Sequence, residues 1–155
     1  MTILMNSPLT GAAVGGFTSP TWTLSGDSPP APASKQWVVS NGGGTIPNVD
    51  FHSASKPFTI AVFRPQVPKA LGAANPVTGV IKQIPNNVYK VITRKGMLSA
   101  ANQVPSIGRI TTIFEIPAGA DTYEPDDLRA LVSAHIGTLW AESAGIEIMC
   151  RTSVI

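Results

Sequence analysis

Apolar residues fall in short runs separated by Pro and Gly as far as Ile116, and beyond residue 123 they take a helical spacing. Phe58–Arg64 (FTIAVFR) is β-branched and aromatic and is fenced by Pro57 and Pro65, which predicts a strand. Val88–Lys95 (VYKVITRK) predicts another. Ile107–Ile116 (IGRITTIFEI) predicts the longest, stopped by Pro117-Ala118-Gly119. Weaker strand signals stand at Thr21–Leu24, before a Gly26-Asp27 turn, and at Gln36–Ser40, which the loop signal Asn41-Gly42-Gly43-Gly44 should end. Residues 65–86 read as a long Pro/Gly connection with a further strand signal at Val80–Ile84, and Gly96–Ser106 (GMLSAANQVPS) as a loop of small and polar residues.

The spacing predicts one helix, over Glu124–Ser143. Pro125 suits its first helical position, and Asp126 and Asp127 put negative charge at the positive end of the macrodipole. On a 3.6-residue wheel Leu128, Leu131, Val132, His135, Ile136 and Leu139 form an apolar arc. Ala130, Ala134, Gly137 and Ala141 line the opposite side. The chain's own sheet is expected to cover the apolar front, and a second subunit the small-residue back, with Trp140 beside it. Residues 145–155, rich in Ile, Val and Thr, predict extended or irregular chain. No internal repeat is present. These elements predict a single α+β domain over 1–155: an N-terminal hairpin or arm over 1–34, an antiparallel sheet over 35–119 and a helical C-terminal region over 120–155.

Composition sharpens this picture. The chain is 43% hydrophobic but only 13% charged, against roughly 25% for an average soluble domain. Much of its surface must then be apolar or neutral, which favours burial against other subunits. Eleven of its 14 prolines lie at or before Pro85, so the first half cannot be mainly helical. No apolar run approaches the ~20 residues needed to span a bilayer. The opening MTILMNSPLTG lacks a basic n-region, so no signal peptide is expected. A lone cysteine, Cys150, excludes an internal disulfide framework. The expectation is a cytosolic product that assembles with itself.

Charge is sorted along the chain. Lys35 to Arg109 holds nine basic residues and one acid, Asp50, whereas Glu115 to Glu147 holds seven acids and one base, Arg129. A basic sheet backed by an acidic helix suits a polyanion on one side. Side chains alternate faces along a strand, so Lys90, Ile92 and Arg94 share one face and Arg109, Thr111 and Ile113 share one. If the two strands form a hairpin, Lys90, Arg94, Arg109 and Thr111 make a single basic, hydrogen-bonding surface. Tyr89 has the wrong parity to join it.

Signals for catalysis are poor. His52, His135 and Cys150 have no metal-binding spacing, so neither a metal nor a cofactor is expected. His135 lies within the apolar arc and reads as a satisfied buried or interface histidine, and Cys150 as an inert buried thiol. Helix-start chemistry accounts for Asp126 and Asp127. Gly42-Gly43-Gly44 lacks the Lys-Ser/Thr and the strand–helix context of a phosphate loop and reads as a flexible turn.

The ordered set NNVYKVITRKG, a small-residue loop, RITTIFEIPAGAD and EPDDLRALVSAHIGTLWAESAGI, over Asn87–Ile146, resembles the coat proteins of single-stranded RNA bacteriophages, the leviviruses. That resemblance implies an antiparallel sheet with an N-terminal hairpin and a long C-terminal helix packed across a dimer partner. Many dimers would close into an icosahedral shell, assembled in the bacterial host cytoplasm and carried in the virion, with no membrane partner. It implies binding of single-stranded viral RNA, including a hairpin, on the inner sheet face. Lys90, Ile92, Arg109 and Thr111 match the RNA-contacting positions, with Arg94 beside them. Ala130, Ala134, Gly137, Trp140 and Ala141 are expected at the dimer interface. Gly96, Asn102, Gln103 and Pro105 would lie in the loop that meets its copies between dimers. The family often carries a second helix after the long one, from which the extended reading of 145–155 departs. Two other classes compete. A non-viral RNA- or single-stranded-DNA-binding oligomer would use the same basic sheet without forming a shell, but low charge and the small-residue helix back demand a subunit partner. An enzyme subunit with a site between chains has no support in the spacing.

Overall fold

The fold is taken from a computed structural model, which describes residues 3–155. Six strands form one sheet in sequence order: β1 (Leu9–Thr10), β2 (Thr18–Asp27), β3 (Ser34–Thr45), β4 (Phe58–Phe63), β5 (Asn86–Met97) and β6 (Ser106–Pro117). Every neighbouring pair is antiparallel. Three helices follow: α1 (Ala120–Tyr123), α2 (Pro125–Ala141) and α3 (Ser143–Thr152). The expected antiparallel α+β architecture is therefore present. It is a meander, the arrangement that short local connections between successive strands favour.

Four local expectations need correcting. Gly26-Asp27 is not a turn but the end of β2, paired with Trp37 and Gln36. Val80–Ile84 forms no strand; residues 64–85 are a long connection held by its own turns, in which Asn75 Oδ1 accepts from the amides of Val77 and Thr78. The run Asn41-Gly42-Gly43-Gly44 does not end a strand but continues β3 to Thr45. Its glycines serve close approach rather than a turn. A Cβ on Gly42 would lie 2.4 Å from Ile46 Cδ1, and one on Gly43 2.6 Å from Thr21 Oγ1. Gly44 has φ +80° and would carry a Cβ 2.2 Å from the Ser19 carbonyl. Register shifts between Thr18 and Thr21 and between Thr23 and Leu24 bend β2 along the same stretch.

Residues 143–152 are helical rather than extended, so the second helix is present. β-Branched residues lower helix propensity by only a few tenths of a kcal/mol each, roughly, which local anchors easily outweigh. Ser143 Oγ donates to the Ala13 carbonyl at 2.6 Å, and Arg151 pairs with Glu147 one turn earlier at 3.2 Å. Ser153, in the left-handed region, closes the helix with its amide on the Met149 carbonyl.

The core is small. Among the described residues the buried hydrophobic side chains are Leu24, Val39, Ala61 and Ala118, with Pro20 buried beside them in the sheet. Trp22 packs edge-on against Phe58 at 5.6 Å and against Phe17 at 6.2 Å, extending the core toward β2. The chain exposes 10861 Å². A compact monomer of 16.2 kDa would expose about 7,450 Å². The excess is about 3,400 Å².

The glycine run yields a direct test. Gly44→Ala should cost at least about 1–2 kcal/mol, the penalty of a left-handed backbone alone. Gly26→Ala, at a strand site with open space around it, should be neutral or stabilising by up to about 1 kcal/mol. Urea unfolding of the two variants checks this, and equal shifts would mean that the run is a tolerant loop after all.

Candidate nucleic-acid interface

The strand registers fix which side chains share a face. Directly opposed residues lie on the same side of a sheet, so three rows cross it. The first is Ser34–Phe63–Lys90–Ile113, the second Asp27–Gln36–Ala61–Ile92–Thr111, and the third Ser25–Val38–Thr59–Arg94–Arg109. Lys90, Ile92, Arg94, Arg109 and Thr111 are thus gathered on one face, on the hairpin of β5 and β6. The opposite face carries Trp37, Val39, Ile60, Val62, Val91 and Phe114. Tyr89 pairs with Phe114 and lies there too.

His135 of α2 meets Phe114 edge-on at 6.0 Å, which puts the helix on the Phe114 side and leaves the basic face on the other. The expectation that the chain's own sheet covers the front of α2 does not hold. No residue of α2 is buried, Leu128 and Val132 are only partly covered, and Leu131, Ile136 and Leu139 are exposed. Ala130, Ala134, Gly137, Trp140 and Ala141 are exposed as well. Cys150, expected to be a buried thiol, is exposed in the single chain, and His135, expected to be buried or at an interface, is exposed there too. Ile110, on the helix side of β6, is 69% exposed.

Arg94 and Arg109 are direct cross-strand partners. Like charges placed opposite one another destabilise a sheet pair by several tenths of a kcal/mol, roughly. Neither arginine forms an ion pair among the described residues. Acids on this face do not relieve them. Asp27 lies toward β1 and accepts from Gln36 Nε2 and the Ser28 amide, each at 2.7 Å, bonds that hold its carboxyl below the usual carboxylate range. Glu115 stands opposite Val88, well down the hairpin. Parity along each strand is legible in the sequence and makes a shared face an expectation for a hairpin, but the register that sets the two arginines side by side depends on the loop between the strands.

On the other side Lys95 lies over the Phe58 ring at 5.3 Å, and partial burial lowers its pKa below that of a free lysine, despite Asp50 nearby. Asp50 accepts from Lys56, which holds its carboxyl below the usual range. These two lysines are therefore engaged in structure.

The loop expected to mediate contacts between dimers spans 98–105. Asn102, Gln103 and Pro105 lie in it, and Asn102 turns it with φ 61°. Gly96 does not; it is a buried member of β5 opposite Ile107, where a Cβ would meet Lys56 Cα at 2.6 Å. No group of three or more His, Cys, Asp or Glu side chains that could hold a metal ion occurs among the described residues, and no helix of the structure is long and apolar enough to cross a membrane.

No protein-family model and no curated protein matches the chain. Solved structures do. The chain is 42% identical to that of the virus-like particle of bacteriophage ESE020, with a TM-score of 0.96 over 99% of this chain and 100% of that one. The virus-like particle of Beihai levi-like virus 32 is 16% identical with a TM-score of 0.51, covering 86% of this chain and 88% of that one, and shares the fold.

Proposed function

The chain belongs to the levivirus-type coat proteins, and from that premise we propose that it builds its shell from intertwined dimers and holds single-stranded viral RNA on the basic sheet face. Its role is structural: it is a capsid protein, assembling with itself in the virion. Icosahedral closure and assembly in the host cytoplasm belong to the proposal.

The observation that carries the RNA reading is the opposed pair Arg94–Arg109 with no acid beside it. A sheet that keeps two cations face to face stores repulsion that a phosphate relieves. Lys90 carries the charge two rows further along, while Ile92, Ile113 and Thr111 offer apolar and hydroxyl contacts to ribose and base. Backbone phosphates dominate such binding and make it salt-dependent. A hairpin of the viral RNA fits a rigid, two-stranded platform of this kind. With α2 on the far side of the sheet, the basic face is free to line a shell interior.

The dimer reading rests on the exposed apolar excess. An isolated chain that leaves Ile110, Leu131, Ile136, Leu139 and Trp140 in water needs a second copy whose sheet and helices cover them. Small residues at 130, 134, 137 and 141 let two helices approach closely.

Three results test these proposals. Lys90→Ala with Arg109→Ala should leave dimers folded while weakening RNA binding and flattening its salt slope by roughly 0.7–0.9 units for each phosphate that is no longer neutralised. Filter binding of dissociated dimers to a genomic RNA fragment across several salt concentrations measures this; wild-type affinity and slope in the double variant would move the RNA site off this face. Ala134→Phe should overpack the helix contact, costing about 1–3 kcal/mol, and lower the yield of dimers and particles on size-exclusion chromatography. An unchanged profile would place that side of α2 in solvent. Deleting residues from the loop at 98–105 should change particle yield or size while the dimer stays folded; electron micrographs with unaltered particles would count against a role between dimers.

A further inference from the structure

The connection between β4 and β5 builds a second basic feature at the end of the same face. β4 stops at Phe63, opposite Lys90, whereas β5 starts at Asn86, so residues 86–89 pair with β6 and have no strand on their other side. The connecting chain crosses this vacant edge at Lys69. There one carboxamide grips both backbone polar groups: the Lys69 amide donates to Asn87 Oδ1 at 2.8 Å, and Asn87 Nδ2 donates to the Lys69 carbonyl at 3.0 Å. A cleft of about 390 Å³ opens between loop and strands, lined by Arg64 and Lys69 from the loop, Lys90 from β5, and the apolar side chains of Phe63 and Val88. Every charged residue lining it is a cation. None of the three forms an ion pair among the described residues.

We propose that this cleft seats one phosphodiester link of single-stranded RNA, with the phosphate among Arg64, Lys69 and Lys90 and the adjoining ribose against Phe63 and Val88. The proposal rests on the reading of the sheet as an RNA face, which the cleft prolongs through Lys90, a member of both. Three cations around one opening repel each other until an anion enters, and each is charge-complementary to phosphate. The cleft volume lies in the range of small-molecule sites, about 300–1,000 Å³, and has room for more than a bare ion. Asn87 is a positioning residue. By fixing the Lys69 backbone against β5 it removes part of the ordering cost that an unrestrained loop lysine would bring to binding.

Full-length protein dissociated from particles and titrated with fluorescein-labelled oligouridylate over a range of salt concentrations tests the idea. Arg64→Ala with Lys69→Ala should flatten the salt slope by about 0.7 units, the value for one phosphate left unneutralised on a single strand. Asn87→Ala removes no charge and should still weaken binding several-fold, with circular dichroism like that of the wild type. Arg94→Ala with Arg109→Ala, run alongside, separates the two readings. If that pair flattens the slope while Arg64→Ala with Lys69→Ala does not, the sheet binds RNA and the cleft proposal falls alone. If neither pair alters binding, both fall. Wild-type affinity in a folded Asn87→Ala protein would overturn the positioning role.

Discussion

A 155-residue chain whose buried hydrophobic side chains, among the described residues, are Leu24, Val39, Ala61 and Ala118 has too little core to hold a six-stranded sheet and two long helices in place alone. Burial contributes about 25 cal/mol per Å², and conformational entropy opposes folding by a similar total. The surface left over, about 3,400 Å² beyond that of a compact monomer of this mass, is available for contact with copies of the same chain, with which the protein assembles. Low charge is the composition-level expression of that need. So is a helix that finds no cover on its own sheet: Leu131, Ile136 and Leu139 are apolar where the single chain offers only water.

Once one side of the sheet is committed to apolar contact, the other is left for charge. Strand alternation makes this division sharp, because each step along β5 or β6 changes face. Lys90, Arg94 and Arg109 fall together on one side, and Val91, Ile110 and Phe114 on the other. The acidic helices sit with the apolar side, marked by His135 against Phe114. Asp50 and Asp27, the two acids before Glu115, are held by Lys56 and Gln36, and Arg94 and Arg109 form no ion pair among the described residues.

Glycine in this chain does two different jobs that composition does not distinguish. At Gly42, Gly43 and Gly96 it clears space for a neighbouring segment inside a strand, and at Gly44 it also supplies a positive φ. Only contact with Ile46, Phe51, Thr21 and Lys56 tells these from turn glycines, and those contacts are tertiary.

The periodicity of the chain by itself determined β4, β5, β6, the main helix and the parity of every side chain on the β5–β6 hairpin, because these depend on local spacing and on the stops at Pro57, Pro65 and Pro117. It placed Lys90, Ile92 and Arg94 on one face of β5 and Arg109 and Thr111 on one face of β6 for the same reason, and the register joined the two faces. What it could not determine depends on partners distant in sequence. The opposition of Arg94 and Arg109 is a matter of register across an eight-residue loop. The helical state of 143–152 is reinforced by Ser143 reaching Ala13 across the whole chain. The cleft beside Lys90 is bounded by a loop that Asn87 holds at Lys69, a contact the loop's own sequence does not signal. Local patterns are written in the order of residues; register, anchoring and cover arise only when the chain has folded and segments far apart meet.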